Sequence, residues 1–186
     1  MEHCDQDLLA GEFYHRNEHS VELQTIWLKY LYPDNDVKIV PLLCGGFERF
    51  IAQGITPIQD ARVRDFINGV KKTIATSSRQ VCLMASVDLS HIGPQFGAER
   101  HVSPGDLTDI RTADLETLKS IEALDMEGFW QSIAKDGNQR NICGLSAIYT
   151  LLGIVTAREG RLLKYSQWRD EQGWGCVTFA SMVFSE

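Results

Sequence analysis

Residues 80–93, QVCLMASVDLSHIG, join a nearly unbroken apolar run to a polar end, and no other stretch so narrows what this chain can fold into. Val81, Cys82, Leu83, Met84, Ala85 and Val87 suit a strand buried on both faces in a sheet covered by helices. Asp88 ends the run, Ser90 and His91 follow it, and Gly93-Pro94 breaks the chain. In open α/β sheets ligands bind in the crevice beyond the carboxyl ends of strands, so Asp88 and His91 fall where a site would be. The plainer alternative is an aspartate in an Asx-turn and a solvated histidine.

A chain of 186 residues with 44% hydrophobic content is sized for one domain with a real core. Its net charge of −7, its pI near 5.2 and the lack of any basic cluster beyond Lys71-Lys72 exclude the electrostatic footprint of a nucleic-acid or anionic-membrane binder. No apolar run reaches the roughly 18 residues of a membrane span. The first residues, MEHCDQDLLA, are polar and acidic, unlike a secretory signal. The cysteines (Cys4, Cys44, Cys82, Cys143, Cys176) are odd in number, widely spaced and without a CxxC pair. That pattern implies reduced thiols in a reducing, cytoplasmic compartment and no structural zinc.

Along the chain, Asn17 is positioned to cap a helix over residues 18–31, with Leu23, Ile26, Trp27, Tyr30 and Leu31 as its buried stripe. His19, four residues before Leu23, shares that stripe and so needs a hydrogen-bond partner or a ligand. Glu18 and Glu22 lie together on a neighbouring face, where the helix N-terminus favours the first. Residues 37–43, VKIVPLL, form a second buried-type strand, in which Pro41 suggests an edge or a bulge and Gly45-Gly46 a tight exit. Thr56-Pro57-Ile58-Gln59 predicts a helix over residues 57–75, completing a strand, helix, strand crossover that favours parallel pairing.

Ser103-Pro104 then starts a helix over residues 105–124, whose apolar positions are diluted by acids as on a surface helix. Asp125 caps a short helix running to Ala134, closed by Asp136-Gly137-Asn138. Another helix begins near Gly144 with Ile148, Leu151, Leu152 and Val155 on one face, placing Cys143 at its N-terminus. Helix N-termini favour the thiolate form of a cysteine, although a free cysteine beside an apolar helix is commonly a small core residue. Residues 161–168 and 174–184 close the chain as an antiparallel hairpin at the sheet edge. The expected fold is therefore α/β, with a mixed, largely parallel sheet, helices on both faces and a terminal antiparallel hairpin.

Three fragments stand together: Glu18-His19-Ser20 with Glu22, Asp88-Leu89-Ser90-His91, and Ile142-Cys143-Gly144. Their order and spacing resemble the Memo family, whose bacterial and archaeal members are called AmmeMemoRadiSam system protein B and which shares its fold with class III extradiol ring-cleaving dioxygenases. The matching motifs are HxxEHSVELQ from His15, V-P-L-L-x-G from Val40, S-x-D-x-x-H from Ser86 and I-C-G from Ile142. The resemblance covers nearly the whole chain and corresponds to the C-terminal part of the family's domain. Residues 1–186 then form one Memo-like α/β domain that lacks the family's N-terminal strands.

The resemblance implies Cys143 as a metal ligand, His91 as catalytic acid/base with Asp88 as its orienting partner, and Glu18 and His19 lining the pocket. Iron, copper or zinc suits a thiolate with imidazoles. Two ligand histidines of the family, in A-P-H-A-G-Y and S-H-H type motifs, have no counterpart here. A weak metal site and a metal-free protein are both compatible with that loss. Ala85-Ser86 before Asp88 and Leu145-Ser146 after Cys143-Gly144 depart further from some relatives.

Three functions follow. The first is a metal-dependent redox or oxygenase-type enzyme acting on a small molecule. The second is a catalytically silent member acting as a binding or structural module. The third is a cysteine nucleophile served by His91. Without the family's first strands, a sheet edge and apolar helix faces stay uncovered, so a homo-oligomer or a partner chain is expected.

Overall fold

Side-chain capping sets three of the helix starts in the computed structural model, which describes residues 7–34 and 36–185. Cys4, the other residues of the acidic start up to position 6, and Asn35 of the expected turn lie outside the described residues. The first helix, α1 (Ser20–Leu31), starts at His19 without a side-chain cap, and the Glu18 carboxylate just ahead of it accepts from the Ser20 N–H at 2.8 Å. Asn17, the expected cap, instead ends a 3-10 turn over Glu12–Asn17. A short helix, α2 (Glu48–Gln53), follows the glycine pair and buries Phe50. The Thr56-Pro57 signal yields only one 3-10 turn, Pro57–Gln59. Asp60 then restarts the chain as α3 (Ala61–Thr76), its carboxylate accepting from the Arg62 N–H at 2.8 Å.

The next two starts agree with the sequence reading. Ser103 and Asp106 form a reciprocal capping box for α4 (Pro104–Glu122), and Asp125 caps α5 (Met126–Ala134) through the Gly128 N–H. After α5 comes α6 (Leu145–Ile154), LSAIYTLLGI, which carries no charge. A helix apolar all round belongs in a core, and α6 lies there. Its Leu145, Ile148, Tyr149 and Leu152 pack with Phe47 and Phe50, with Leu118 and Ile121 of α4, and with Phe129, Trp130 and Ile133 of α5. Far from being a surface helix, α4 buries Ile110, Asp114, Thr117, Leu118 and Ile121. No helix among the described residues is long and apolar enough to cross a membrane.

The sheet is small. It contains β1 (His91–Ile92), β2 (Glu159–Arg169) and β3 (Cys176–Ser185) in the order β1-β3-β2, every pair antiparallel. The closing hairpin is present, its turn held by Asp170, whose carboxylate accepts from the Gln172 N–H at 2.8 Å and from the Gly175 N–H. Its strand β3 is central rather than an edge.

A mixed helix and sheet fold is thus present, but the sheet is not largely parallel. Residues 37–43 and 81–87 flank α3 as the crossover requires, yet neither stretch enters a ladder. Ladders need backbone pairing with a neighbouring strand, and the described pairings join only residues 91–92, 159–169 and 176–185, leaving both stretches out. Their apolar side chains are consequently open, with Val40 82% and Met84 56% exposed. The stripe of α1 has the expected spacing but no cover: Trp27 is 59% exposed and no residue of the helix is buried.

Candidate functional site

Two arms of chain meet beside β3. The first is the end of the apolar run, where the Leu89 N–H donates to the Thr178 carbonyl at 2.8 Å and the Thr178 N–H returns to the Ser90 carbonyl at 3.0 Å. The second is the segment entering α6. Its Arg140 carbonyl accepts from the His91 N–H at 2.7 Å, and the Asn141 side-chain amide donates to the His91 carbonyl at 3.2 Å. Gly144 lets the arms touch. A β-carbon there would lie 2.6 Å from the Asp88 carbonyl oxygen and 2.7 Å from Val87 Cγ2.

This packing brings Asp88, His91 and Cys143 together. The Cys143 thiol donates to the Asp88 carbonyl at 3.7 Å, a sulfur-length contact. The imidazole Nδ1 lies 3.1 Å from the Leu89 carbonyl, which can only accept, so in the neutral ring Nδ1 carries the proton and Nε2 is the basic nitrogen. Nε2 is 3.9 Å from Asp88 Oδ2, too far for a hydrogen bond, and the Asp88 side chain is half exposed. The contact that orients the ring therefore comes from the Leu89 carbonyl, with Phe96 edge-on at 4.9 Å. The His91 pKa is raised above the ordinary value, chiefly by the neighbouring Cys143 and then by the Leu89 carbonyl and Asp88, while burial opposes the rise.

Glu18 and His19 are drawn near the same segment by the Ser86 hydroxyl, which donates to the Ser20 carbonyl at 3.1 Å. Neither makes a polar contact with Asp88, His91 or Cys143. The Glu18 carboxyl is held below its ordinary pKa by the Ser20 hydroxyl and N–H, and His19 lies 4.0 Å from it. The His19 side chain is 81% exposed. Its expected place on a buried stripe fails because nothing described covers that face of α1.

Sequence reasoning missed the polar cluster behind the site. Asp114 of α4 is fully buried and accepts from the Ser90 hydroxyl at 2.6 Å, the Tyr165 hydroxyl at 2.9 Å, the Thr178 hydroxyl at 2.6 Å and Arg140 Nη1 at 2.5 Å. A second guanidinium nitrogen of Arg140 donates to the Thr117 hydroxyl at 2.9 Å. The signal was there to read: Asp114 stands four residues after Ile110 and four before Leu118, inside the apolar stripe of α4. An acid in such a stripe must find partners.

Among the described residues no three of the His, Cys, Asp and Glu side chains form a group that could hold a metal ion. Cys143 supplies one soft sulfur donor and His91 is the imidazole beside it, short of the three protein ligands such sites ordinarily use. The donors among the described residues do not by themselves fit a closed metal centre.

A family model described as "Memo-like protein" matches residues 4–183. Among curated relatives, a MEMO1 family protein of Aquifex aeolicus is 28% identical over 97% of this chain and 44% of its own length. One from Desulfurococcus amylolyticus is 27% identical over 87% of this chain and 49% of its own length. Another, from Methanococcoides burtonii, is 36% identical over 89% of this chain and 56% of its own length. The chain spans about half the length of the curated relatives it matches.

Proposed function

We propose, from the premise that this chain belongs to the Memo family, that residues 87–91 and 141–144 form the thiol and acid/base half of a Memo-type site related to that of class III extradiol dioxygenases. The observation that carries this reading is that Cys143 and the His91 segment meet at the Asp88 carbonyl, which the Cys143 thiol reaches at 3.7 Å, while the Leu89 carbonyl holds His91 Nδ1 at 3.1 Å. In that arrangement His91 takes a proton at Nε2 and gives it back, the chemistry a ring-cleaving or redox step on a small molecule needs from an acid/base. Asp88 adds a weak favourable charge to the imidazolium, and Glu18 and His19 border the approach. Cys143 is the donor that iron, copper or zinc would take from this half. Two further donors are required before such a metal is held, and in this proposal they come from outside the residues described here. The reading also places the protein in a reducing compartment such as the cytoplasm, in keeping with unpaired thiols at Cys44, Cys82, Cys143 and Cys176.

The absence of a three-donor group among the described residues favours one second reading, a metal-free, catalytically silent module of the same family. Elemental analysis of purified wild type and Cys143→Ala separates the two. Near-stoichiometric iron, copper or zinc that vanishes in the variant supports the site, and its absence from both supports the silent module.

A further inference from the structure

Helix α1 lies with its wrong side inward for a lone subunit. Its half-buried positions are Val21, Gln24, Thr25 and Leu28, whereas Leu23, Ile26, Trp27, Tyr30 and Leu31, one stripe at helical spacing, are 53% to 75% exposed. The helix is anchored in that orientation. Near its start the Ser86 hydroxyl donates to the Ser20 carbonyl at 3.1 Å, and near its end Lys29 Nζ donates to the Pro33 carbonyl at 2.5 Å. Its inner side borders a groove shared with Val37 and Ile39, and the run 37–43 extends the open face, with Val40 82% exposed. Taking about 150–250 Å² for a fully open aromatic side chain and less for an aliphatic one, the face offers on the order of 800 Å². That matches the roughly 800 Å² that a standard protein interface takes from each partner.

The charges beside the stripe say what fits it. Glu22 and Lys29 are both exposed and stand two helical turns apart on one flank. Such a flank is complementary to itself when reversed. An antiparallel second α1 sets base against acid at both ends, with the two helix dipoles opposed, whereas a parallel one would set acid against acid and base against base. We propose that this face is the interface of a twofold homodimer, in which α1 packs antiparallel on the same helix of the partner subunit and each Glu22 pairs with Lys29 of the partner subunit. The axis passes beside Ile26 and Trp27, so that Leu23 covers Tyr30 of the partner subunit. The inference is independent of how Asp88, His91 and Cys143 are read.

The test is analytical ultracentrifugation of the full chain as wild type, Glu22→Lys, Lys29→Glu and an equimolar mixture of the two variants. Wild type is expected to form a dimer that grows no further. Each single variant turns both ion pairs of the dimer into repulsions and is expected to weaken dimerisation about tenfold at low salt. A heterodimer of the two variants has both pairs restored, so the mixture is expected to recover the wild-type dissociation constant. If Lys29→Glu loses the Pro33 contact and fails to fold, Glu22→Lys decides alone: its loss must shrink as salt screens the repulsion, and a loss indifferent to salt overturns the pairing. A wild type that stays monomeric up to about 1 mM overturns the proposal and leaves the face to a different polypeptide. Open-ended association overturns the twofold closure. A dimer that neither variant weakens, or that the mixture does not restore, overturns the antiparallel arrangement.

Discussion

Gly144 packs against Asp88 so closely that a β-carbon at position 144 would lie 2.6 Å from the Asp88 carbonyl oxygen. The contact involves backbone on one side and the first turn of a buried helix on the other, so neither partner has a side chain to swing away. It is the point at which the Cys143 arm and the His91 arm are kept in touch.

Gly144→Ala should accordingly cost about 1–3 kcal/mol, the usual range for overpacking. Urea unfolding measures it. The same variant should push Cys143 off His91 and remove the rise in the imidazole titration. A neutral substitution with an unchanged titration would show that the arms are not in contact at this point.

The raised pKa of His91 makes a pH statement with a definite sign. A group whose folded value exceeds its unfolded one stabilises fully below the unfolded value and loses that contribution as pH rises through the folded one. With an ordinary value of 6.5, the window begins there and extends upward. The melting temperature of wild type should therefore exceed that of His91→Gln most at low pH, and the gap should close with rising pH. A gap that stays constant from about pH 5.5 to 8.5 contradicts the imidazolium contact.

Arg140→Ala should be far more damaging than Tyr165→Phe. The first leaves the buried Asp114 carboxylate without its counter-charge, a loss of about 3–5 kcal/mol. The second removes one of four donors to Asp114, a loss of about 0.5–1.5 kcal/mol. Equal effects in paired denaturation curves would mean that Asp114 is less dependent on Arg140 than its burial implies.

The open apolar faces carry an expectation about assembly. Trp27, Ile26 and Leu31 of α1 are exposed together with Val37, Ile39 and Val40, and α1 and residues 37–39 border one groove. Soluble monomers rarely leave such patches uncovered. Sedimentation velocity of the purified chain should show self-association that Trp27→Glu combined with Val40→Glu disperses. A monodisperse wild-type monomer that unfolds cooperatively would count against it.

Much of this protein follows from its sequence because the signals are local. The side chains of Ser103 and Asp125 cap helices where their spacing says they should, and the turn from Asp170 to Gly173 folds the last two strands into a hairpin. The motifs around Asp88, His91 and Cys143 likewise name residues that the fold brings near one another, where the Gly144 backbone packs against the Asp88 carbonyl. The rest depended on tertiary structure. Two apolar runs that look like buried parallel strands have no ladder, because a strand's identity needs a neighbour that no property of the run itself supplies. His19 lies on a face with the right period and no cover. Asp114, one acid among many on an acidic helix, becomes the hub of the site's support only because Ser90, Arg140, Tyr165 and Thr178, distant in sequence, converge on it in a volume that water does not enter.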